Sequence, residues 1–430
     1  MPENPIAQGR APGRIDFLGG VADYSGAWVL ETPIDGQATV SIGPGTEWLF
    51  SSEQAGRFVL ARKTMREICS AAVDSLAEAR HVLDEAMVPT WGRYVIGCLV
   101  VLIHHGRWPA LCQESWAIRV ESDVPLGMGV SSSAAIEVAT LRAFGELKKI
   151  AWSGTELARF AQQAENEVVG APCGLMDQLT AAYGQASALL PILCRPDLLA
   201  DPVRLPRGVA VVGWPSGVKH DVGASPYATA RCGAFMGKKI VEEALRRTLT
   251  HLSELPMSEF LQVAPRLPST LTGQEFVTRY GSHDDPLTAL PKLDCARAAG
   301  SEALGRNYPV KAATTFPVEE SDRVQLATGI LRGIENLDGP DRRRRESLEL
   351  VGRLLLQSHE GYSRMGLGSP ETDEMVSAIM ELGPDKGLYG ARISGGGSGG
   401  TVVVLLEEAA LDTLESLRNK LGTPHPFIRV

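Results

Sequence analysis

The chain of 430 residues lacks the long apolar run that a membrane-spanning helix requires. Its longest apolar stretches, such as residues 99–103 and 401–406, are far shorter than the roughly 20 residues of a bilayer span. The first ten residues, MPENPIAQGR, contain no charged segment followed by an apolar one, so we expect no secretion signal. These absences favour a cytoplasmic protein without a membrane partner.

Paired cysteines and an excess of positive charge are also missing. The seven cysteines are scattered, and no two of them form a C-x-x-C pair. This pattern argues against a zinc ribbon or a disulfide framework, so we expect free thiols in a reducing compartment. The formal net charge of −9 leaves no broad basic face for a phosphate backbone, which disfavours nucleic-acid binding.

The two commonest nucleotide-binding glycine loops are absent as well. The nearest approach to a Walker A loop, GAFMGKK at residues 233–239, has the wrong spacing and no Ser or Thr after its lysine. Residues 395–400 satisfy the pattern G-x-G-x-x-G, but a β-branched strand is predicted at 401–406, where the dinucleotide fingerprint requires a helix. A bound nucleotide would therefore need another type of loop.

Glycine, by contrast, is abundant. Of the 430 residues, 45 are glycine, which is a larger share than the roughly 7% of an average protein. They are not spread evenly, and three groups of them lie at residues 9–26, 127–129 and 395–400. Around them the pattern of apolar residues predicts helices that are segregated from mixed strands, which indicates an α+β fold. A Pro/Leu-rich stretch near residue 205 suggests an N-terminal domain over 1–205 and a C-terminal domain over 206–430. The predicted strands are 28–39, 58–61, 115–122, 209–213 and 401–406, and the predicted helices are 91–104, 131–147, 154–169, 228–247, 321–336, 341–365, 372–382 and 407–421.

The second glycine group is the short segment whose residues best suit the binding of a ligand. In PLGMGVSSSAAIEVATLRAF (residues 125–144), Gly127 and Gly129 precede three serines at a predicted helix start. A helix N-terminus offers unpaired N–H groups and a positive partial charge, which favour a phosphate. The alternative is a simple N-capping serine after a tight turn, although one cap needs only one serine.

Three segments in order, residues 11–34, 125–135 and 390–400, resemble the three motifs of the GHMP small-molecule kinases. Four further segments resemble the galactokinase branch: WGRYVIG (91–97), AENEVVGAPCGLMDQL (164–179), SGVKHDVGASPYATAR (216–231) and SHEGYSRMGLGSPETD (358–373). The resemblance implies a two-domain GHMP kinase fold. Its N-terminal domain would be ribosomal protein S5 domain 2-like, its C-terminal domain α+β, and its active site would lie between them.

The resemblance also implies a catalytic set for phosphoryl transfer. Asp177 in CGLMDQ matches the family's catalytic aspartate, which lies against the anomeric hydroxyl, and Arg14 in PGRID matches its partner arginine. Glu165 matches the metal-binding glutamate, which would hold Mg²⁺ together with Ser132. The structural alternatives are that Asp177 caps a helix, and that Arg14 and Glu165 form a surface pair worth under about 1 kcal/mol.

Substrate contacts are implied in the same way. The residues expected at the sugar are Asp16, Gly20, Asp23, Gly174 and Tyr227. Those expected at ATP are Gly127, Gly129, Ser131, Ser132, Ser133 and, at the adenine, Trp91. The partners are then a monosaccharide and ATP, and we expect a monomer or a weak homodimer. The glycine run at 395–400 would shape the rim of the site.

The first motif departs from the galactokinase pattern at two positions. Gly20 stands where galactokinases carry a glutamate that faces the C6 hydroxyl of the sugar, and Val21 stands at their histidine. L-Arabinose has the galactose ring configuration without C6, so the chain is similar to the L-arabinokinase-like subgroup. A galactokinase that binds C6 through water or another side chain is the alternative. A regulator that binds sugar and ATP without turnover is a further one.

Overall fold

The computed structural model describes residues 5–108, 113–195, 197–218, 226–291, 302–337, 341–423 and 425–430. Within these ranges, none of the helices has both the length and the hydropathy that crossing a lipid bilayer requires. The strands are β1 (Ala7–Leu18), β2 (Trp28–Pro44), β3 (Trp48–Ser52), β4 (Gly56–Leu60), β5 (Trp116–Ser122), β6 (Ala188–Leu193), β7 (Leu198–Leu199), β8 (Val203–Arg204), β9 (Val209–Pro215), β10 (Leu271–Thr272), β11 (Asn307–Tyr308), β12 (Leu388–Ile393), β13 (Thr401–Glu407) and β14 (Ile428–Arg429). The α-helices are α1 (Arg62–Asp74), α2 (Leu76–Glu85), α3 (Thr90–His104), α4 (Ser132–Lys148), α5 (Gly154–Gln163), α6 (Met176–Tyr183), α7 (Pro226–Leu245), α8 (Met257–Val263), α9 (Gly273–Tyr280), α10 (Glu302–Gly305), α11 (Val310–Ile334), α12 (Arg342–Arg364), α13 (Pro370–Leu382) and α14 (Leu411–Leu421).

The chain forms two compact units that are both discontinuous in sequence. Unit 1 combines Met1–Arg14, Pro33–Leu126 and Ser131–Gly184. Unit 2 combines Ile15–Thr32, Gly127–Val130 and Gln185–Val430. Because the chain leaves unit 1 within β1 and again after β5, neither unit is a continuous half of the sequence. The domain boundary near residue 205 stays a prediction.

Unit 1 contains a sheet in the order β4-β3-β5-β2, followed in sequence by helices α4–α6. β5 pairs antiparallel with β2 and parallel with β3. α3 contains the apolar sequence VIGCLVVLI, all of it buried, and packs against α1 and α4. The predicted helix at 91–104 is therefore confirmed as a core helix, since a helix that is apolar on all sides is stable only when surrounded.

Unit 2 contains an antiparallel sheet in the order β12-β13-β9-β14. β13 (TVVVLLE) pairs with β12 on one side and β9 on the other, and its residues 401–406 are fully buried. Its β-branched residues favour an extended strand that is covered on both faces. α12 and α13 pack on β12, and the first residues of β2 pair with β6.

Some elements differ from the sequence-based expectation. β1 runs through the first glycine group, where no strand was predicted, and the helix predicted at 321–336 begins at Val310. Pro317 lies inside this helix, α11. A proline in a helix costs about 3 kcal/mol, and burial of Phe316 and Val318 on either side offsets that cost. The expectation of thiols holds at Cys98, Cys173 and Cys232, but Cys69 is disulfide-bonded.

Candidate active site

An arginine–aspartate pair lies in unit 1. β1 carries Arg14, and the first turn of α6 carries Asp177. Arg14 Nε donates to Asp177 Oδ1 over 2.8 Å, and Arg14 Nη2 lies 2.7 Å from the same oxygen. The Arg14 side chain is 4% exposed and that of Asp177 is 19% exposed, so the pair is not a surface pair and the carboxylate keeps an open side. The Asp177 side chain does not cap α6.

Ser131 holds the second oxygen of this carboxylate. It occupies the N-cap position of α4 with a φ of 57°, yet its side chain makes no capping hydrogen bond to the helix. Instead its hydroxyl donates to Asp177 Oδ2 over 2.5 Å. The first N–H groups of α4 therefore receive no acceptor from the N-cap side chain, which leaves the positive end of the helix available to an anion.

The glycine turn that precedes α4 in the chain belongs to unit 2. Gly127 and Gly129 have φ values of 71° and 70°, in the left-handed region that favours glycine. Between them, the Met128 carbonyl accepts a hydrogen bond of 2.7 Å from Thr401 Oγ1 at the start of β13. Within unit 2, a side-chain contact thus joins the second glycine group to the strand that directly follows the third.

Glu165 lies in a buried cluster of carboxyl groups. It belongs to the π-helical turn Ala164–Val169 that follows α5. Gln178 Nε2 donates to Glu165 Oε2 over 2.7 Å and to Glu137 Oε2 over 3.3 Å. Because Gln178 follows Asp177 directly in the chain, its amide ties both glutamates to the helix that presents the aspartate. Sequence reasoning missed Gln178 and Glu137. The first lies inside the segment at 164–179 that resembles the family, and the second lies two residues after the motif at 125–135.

The negative charge of this cluster is unfavourable without a cation. Burial, followed by the nearby Asp177 charge, raises the pKa of Glu165 to about 7, while a hydrogen bond with Ser133 opposes the rise. Burial likewise raises the pKa of Glu137 well above its ordinary range. A divalent cation would offset this charge. The oxygen donors suit Mg²⁺, which usually takes one or two carboxylates and completes its shell with water and phosphate oxygens.

The protein offers few side-chain ligands for such a metal ion. Within the described ranges, His, Cys, Asp and Glu side chains form no group of three or more that could enclose an ion by themselves. The hydroxyl bonded to Glu165 is that of Ser133, whereas Ser132 is the partly exposed first residue of α4. The choice of Ser132 as a metal ligand stays a prediction.

A second polar cluster surrounds Asp23 in unit 2. Asp23 is buried in the 3₁₀ helix Gly20–Ser25, and Tyr24 packs edge-on against Tyr227 at the start of α7, with ring centroids 6.0 Å apart. The guanidinium of Arg231 lies 5.2 Å from the centre of the Tyr24 ring and binds Asp285 through two hydrogen bonds of 2.9 and 3.0 Å. Arg231, Tyr24 and Asp285 were not anticipated. Arg231 and Tyr24 each lie in a segment that resembles the family, SPYATAR and residues 11–34, whereas Asp285 lies in none.

Asp16 is fully buried, and both of its carboxylate oxygens accept hydrogen bonds from other residues of the chain. Its Oδ2 lies 2.8 Å from Arg392 Nη1 and accepts from the Gly395 N–H over 3.1 Å. Its Oδ1 accepts from the Gly20 N–H over 3.0 Å. Asp16 therefore fixes the loop after β1 and the third glycine group. Its predicted contact with a sugar remains a prediction.

The third glycine group forms a tight loop rather than a helix start. Its φ values are positive at Gly395, Gly397, Ser398, Gly399 and Gly400. The Ser398 N–H donates to the Leu367 carbonyl over 2.6 Å, and β13 follows directly. The strand after G-x-G-x-x-G is confirmed, and with it the argument against a dinucleotide fingerprint. Its role as the rim of a site stays a prediction.

The remaining predicted residues lie in unit 1. Trp91 is a half-buried residue in the first turn of α3, and its ring packs edge-on against Phe58 with centroids 5.2 Å apart. Gly174 is half-buried in the segment that leads into α6. Neither position is excluded from ligand contact by burial, and both assignments remain predictions.

Two family models match separate parts of the chain: the GHMP kinases N terminal domain over residues 93–185, and GHMP kinases C terminal over residues 335–422. The L-arabinokinase of Arabidopsis thaliana is 32% identical, over 94% of this chain and 43% of its own length. The chain belongs to the GHMP kinases. Galactokinases of Chloroflexus aggregans and a Roseiflexus species are each 28% identical, over 95% and 94% of this chain and 86% and 84% of their own lengths. This places the GHMP kinase in the galactokinase-like branch, and the chain spans less than half the length of the Arabidopsis relative.

Solved structures agree with the family fold. A Lactococcus lactis galactokinase in complex with galactose aligns with a TM-score of 0.70 at 18% identity, over 99% of this chain and 93% of that one. A mevalonate kinase of Methanococcus jannaschii aligns with a TM-score of 0.56 at 14% identity, over 100% and 99% of the two chains. The chain therefore has the two-domain GHMP kinase fold, with mixed helices and sheets.

Proposed function

We propose that this GHMP kinase transfers the γ-phosphoryl group of ATP to the anomeric hydroxyl of L-arabinose. The observation that carries the phosphoryl-transfer part is the Asp177 carboxylate. Arg14 and Ser131 hold its two oxygens beside a helix whose N-terminus has no side-chain cap. Such a carboxylate suits a substrate hydroxyl, and such a helix end suits phosphate.

In the proposed reaction the anomeric oxygen forms a bond to the γ-phosphorus as the bond from that phosphorus to the β,γ-bridging oxygen breaks, and ADP leaves. The proton of the anomeric hydroxyl passes to Asp177 and then to solvent. Because the transition state of phosphoryl transfer is loose, this proton moves late, and a carboxylate held by Arg14 is a sufficient acceptor. Mg²⁺ held by Glu165 and a serine hydroxyl of residues 131–133 would neutralise charge on the phosphates.

The choice of sugar rests on Gly20 and on the relatives. Gly20 supplies no side-chain acceptor for an exocyclic hydroxyl, and a site that binds a hydroxyl discriminates strongly against a sugar without it. The arabinokinase relative is also more similar, at 32% identity, than the two galactokinases at 28%. Both observations favour a pentose without C6 over galactose.

A panel of free sugars tests the proposal, with ADP release measured by a coupled assay. We expect kcat/KM to be highest for L-arabinose, lower for D-galactose, and negligible for D-xylose. Turnover of D-galactose equal to that of L-arabinose would contradict the sugar assignment. Binding without turnover of any sugar would instead favour a regulator.

Asp177→Asn tests the catalytic assignment in the same assay. The amide keeps the shape of the side chain but cannot take a proton, so we expect kcat to fall at least about 100-fold. The affinity for ATP, measured by calorimetry, should change little. Full activity of Asp177→Asn would refute the role of Asp177.

A further inference from the structure

Ser131 precedes α4 in a different conformation from two other serines that precede helices of unit 1. Ser75 and Ser153 have φ values of −157° and −78°, and their hydroxyl oxygens accept hydrogen bonds from the Glu78 and Glu156 N–H groups over 3.3 and 3.2 Å. These two serines cap α2 and α5 in the ordinary way. Ser131 instead has a φ of 57° and a ψ of 48°, and its side chain makes no capping hydrogen bond. The same residue type at the same position is therefore used differently at the start of α4.

The conformation of Ser131 is unfavourable for this segment taken alone. The left-handed region disfavours residues that carry a Cβ atom, and α4 forgoes the hydrogen bond that a serine cap supplies. The backbone still completes the helix start, since the Ser131 carbonyl accepts from the Ala135 N–H over 3.1 Å. Only the side chain is turned away from the helix. A contact outside α4 must therefore stabilise it, because strained residues persist only where the surrounding structure compensates for them.

The contact that Ser131 gains is with Asp177. Its hydroxyl donates to Asp177 Oδ2 over 2.5 Å, while the two contacts from Arg14, over 2.8 and 2.7 Å, both reach Oδ1. A hydrogen bond to a carboxylate is stronger than one to a neutral acceptor, so it offsets part of the strain. The terminal torsion of an aspartate is soft, and partners on one oxygen alone leave the carboxylate plane free to turn. Partners on both oxygens fix that plane.

We propose that Ser131 is a positioning residue, which accepts a strained backbone and gives up its helix cap in order to fix the plane of the Asp177 carboxylate. Its hydroxyl is then not a ligand of ATP, and contacts with phosphate and metal are left to Ser132 and Ser133. The inference rests on the proposed function, in which Asp177 takes the proton of the anomeric hydroxyl. Ser131 itself touches no reacting atom and acts only through Asp177.

A kinetic cycle tests whether Ser131 acts through Asp177. The kcat values of the wild type, Ser131→Ala, Asp177→Asn and the double variant are compared in the coupled assay. We expect Ser131→Ala to lower kcat at least about 10-fold in the wild type but less than about 2-fold in the Asp177→Asn background, where no carboxylate is left to orient. The affinity of Ser131→Ala for ATP, measured by calorimetry, should stay unchanged. The same loss of kcat in both backgrounds would overturn the proposal, as would an unchanged kcat or a loss of ATP affinity as large as the loss of kcat.

Glycine and alanine variants separate the strain from the hydroxyl. Ser131→Gly and Ser131→Ala both lack the hydroxyl, but only glycine adopts a left-handed φ without a penalty. Lys149 is the matched control, since it has a φ of 54° at the exposed C-terminal end of the same helix. At both positions we expect the glycine variant to have the higher thermal midpoint. We expect kcat to be lowered in both Ser131 variants and unchanged in both Lys149 variants. Full kcat in Ser131→Gly would overturn the proposal, and so would equal thermal midpoints of the two Ser131 variants.

A thermodynamic cycle tests the contact without any sugar. The thermal midpoints of the wild type, Ser131→Ala, Asp177→Ala and the double variant are compared. We expect the two substitutions together to cost less than the sum of their separate costs, because each alone already breaks the same hydrogen bond. Additive costs would overturn the proposal whichever sugar the enzyme phosphorylates. If the costs are coupled but the wild type phosphorylates no sugar, the proposed function fails and the contact between Ser131 and Asp177 stands.

Discussion

Asp177 is held at both carboxylate oxygens by side chains from different parts of the sequence. Arg14 reaches Oδ1 from β1, and Ser131 reaches Oδ2 from the start of α4. The arginine adds charge as well as geometry, because two of its nitrogens lie within 2.8 Å of one oxygen. A lysine presents a single ammonium group and cannot reproduce this planar contact.

We therefore predict that Arg14→Lys lowers kcat about 100-fold and leaves the KM for the sugar largely unchanged. Steady-state kinetics of the coupled assay measure both constants. Arg10→Lys is the matched control, since Arg10 lies on the same strand with an exposed side chain. A normal kcat in Arg14→Lys would show that the pair has no part in the reaction.

Glu165 makes the stability of the metal-free protein depend on pH. Its pKa is about 7 in the folded protein and about 4.3 in an unfolded chain, so the folded state binds the extra proton between these values. Stability from this group is therefore gained as the pH falls from above 7 towards 4.3. Buried histidines such as His359, whose pKa burial lowers, act in the opposite direction.

The difference between wild type and Glu165→Gln isolates this contribution. Without Mg²⁺, we expect the wild-type thermal midpoint to drop relative to that of Glu165→Gln as the pH is raised from 5.5 to 8. Added Mg²⁺ should reduce the gap at pH 8. Parallel midpoints over the whole range would show that the Glu165 carboxyl is not perturbed.

Some residues of the candidate site could be identified from the sequence, and others could not. Arg14, Glu165 and Asp177 can be singled out because each lies in a motif whose residue types suit phosphoryl transfer. The burial of Asp16 against Arg392 and the close approach of Tyr362 to Gly20 join residues from opposite ends of the chain. No local pattern encodes such contacts, so only the folded backbone reveals them.

At the scale of elements, α12 and β12 meet through two glycines. A Cβ on Gly352 of α12 would overlap the Tyr389 carbonyl, and a Cβ on Gly390 of β12 would lie 2.6 Å from the Gly352 carbonyl oxygen. The helix and the strand are thus in direct backbone contact beneath the buried sheet. Neighbouring elements at this distance leave no volume for even one methyl group.

We predict that Gly352→Ala destabilises the protein by about 1–3 kcal/mol or more, since the helix must move away from the strand. Gly329→Ala is the matched control: Gly329 lies in helix α11, and no atom lies within 4 Å of its Cβ position. That control should gain about 0.5–1 kcal/mol, because alanine favours a helix over glycine. Urea unfolding measures both, and a stable Gly352→Ala would contradict the close contact.

Helices and strands with a clear periodic or β-branched pattern could be predicted from the sequence. Those that contain glycine or proline against their usual preference could not. α3 and β13 are confirmed close to their expected bounds, because their runs of apolar residues are stable only when buried in the core. β1 was missed because its glycines suggest a loop, although pairing with β2 supplies its hydrogen bonds. α11 begins before the predicted start at residue 321, because packing of the side chains that flank Pro317 stabilises the helix through a residue that usually interrupts one.

At the scale of the whole molecule, the resemblance in motifs spread from residue 11 to residue 400 indicated the family fold. It could not indicate that short segments around residues 15–32 and 127–130 join the second compact unit, since that grouping depends on contacts across the chain. Ligands that bind only the folded state stabilise the entire structure by mass action, whichever unit they contact.

We predict that L-arabinose at 100 times its dissociation constant raises the free energy of unfolding by about 2.7 kcal/mol. D-Xylose at the same concentration, a pentose with a different ring configuration, should have no effect. Thermal unfolding with and without each sugar measures this, and Asp177→Asn should retain the response. Equal stabilisation by both pentoses would show that the chain does not recognise the ring configuration.

The contact between Tyr362 and Gly20 also constrains the order in which substitutions can accumulate. A lineage that acquires a side chain at position 20 first passes through a protein in which that side chain overlaps the buried Tyr362 hydroxyl. A lineage that first loses the tyrosine keeps a glycine that tolerates the change and can then explore larger residues. Tolerance of a side chain at position 20 would therefore depend on the earlier loss of the tyrosine.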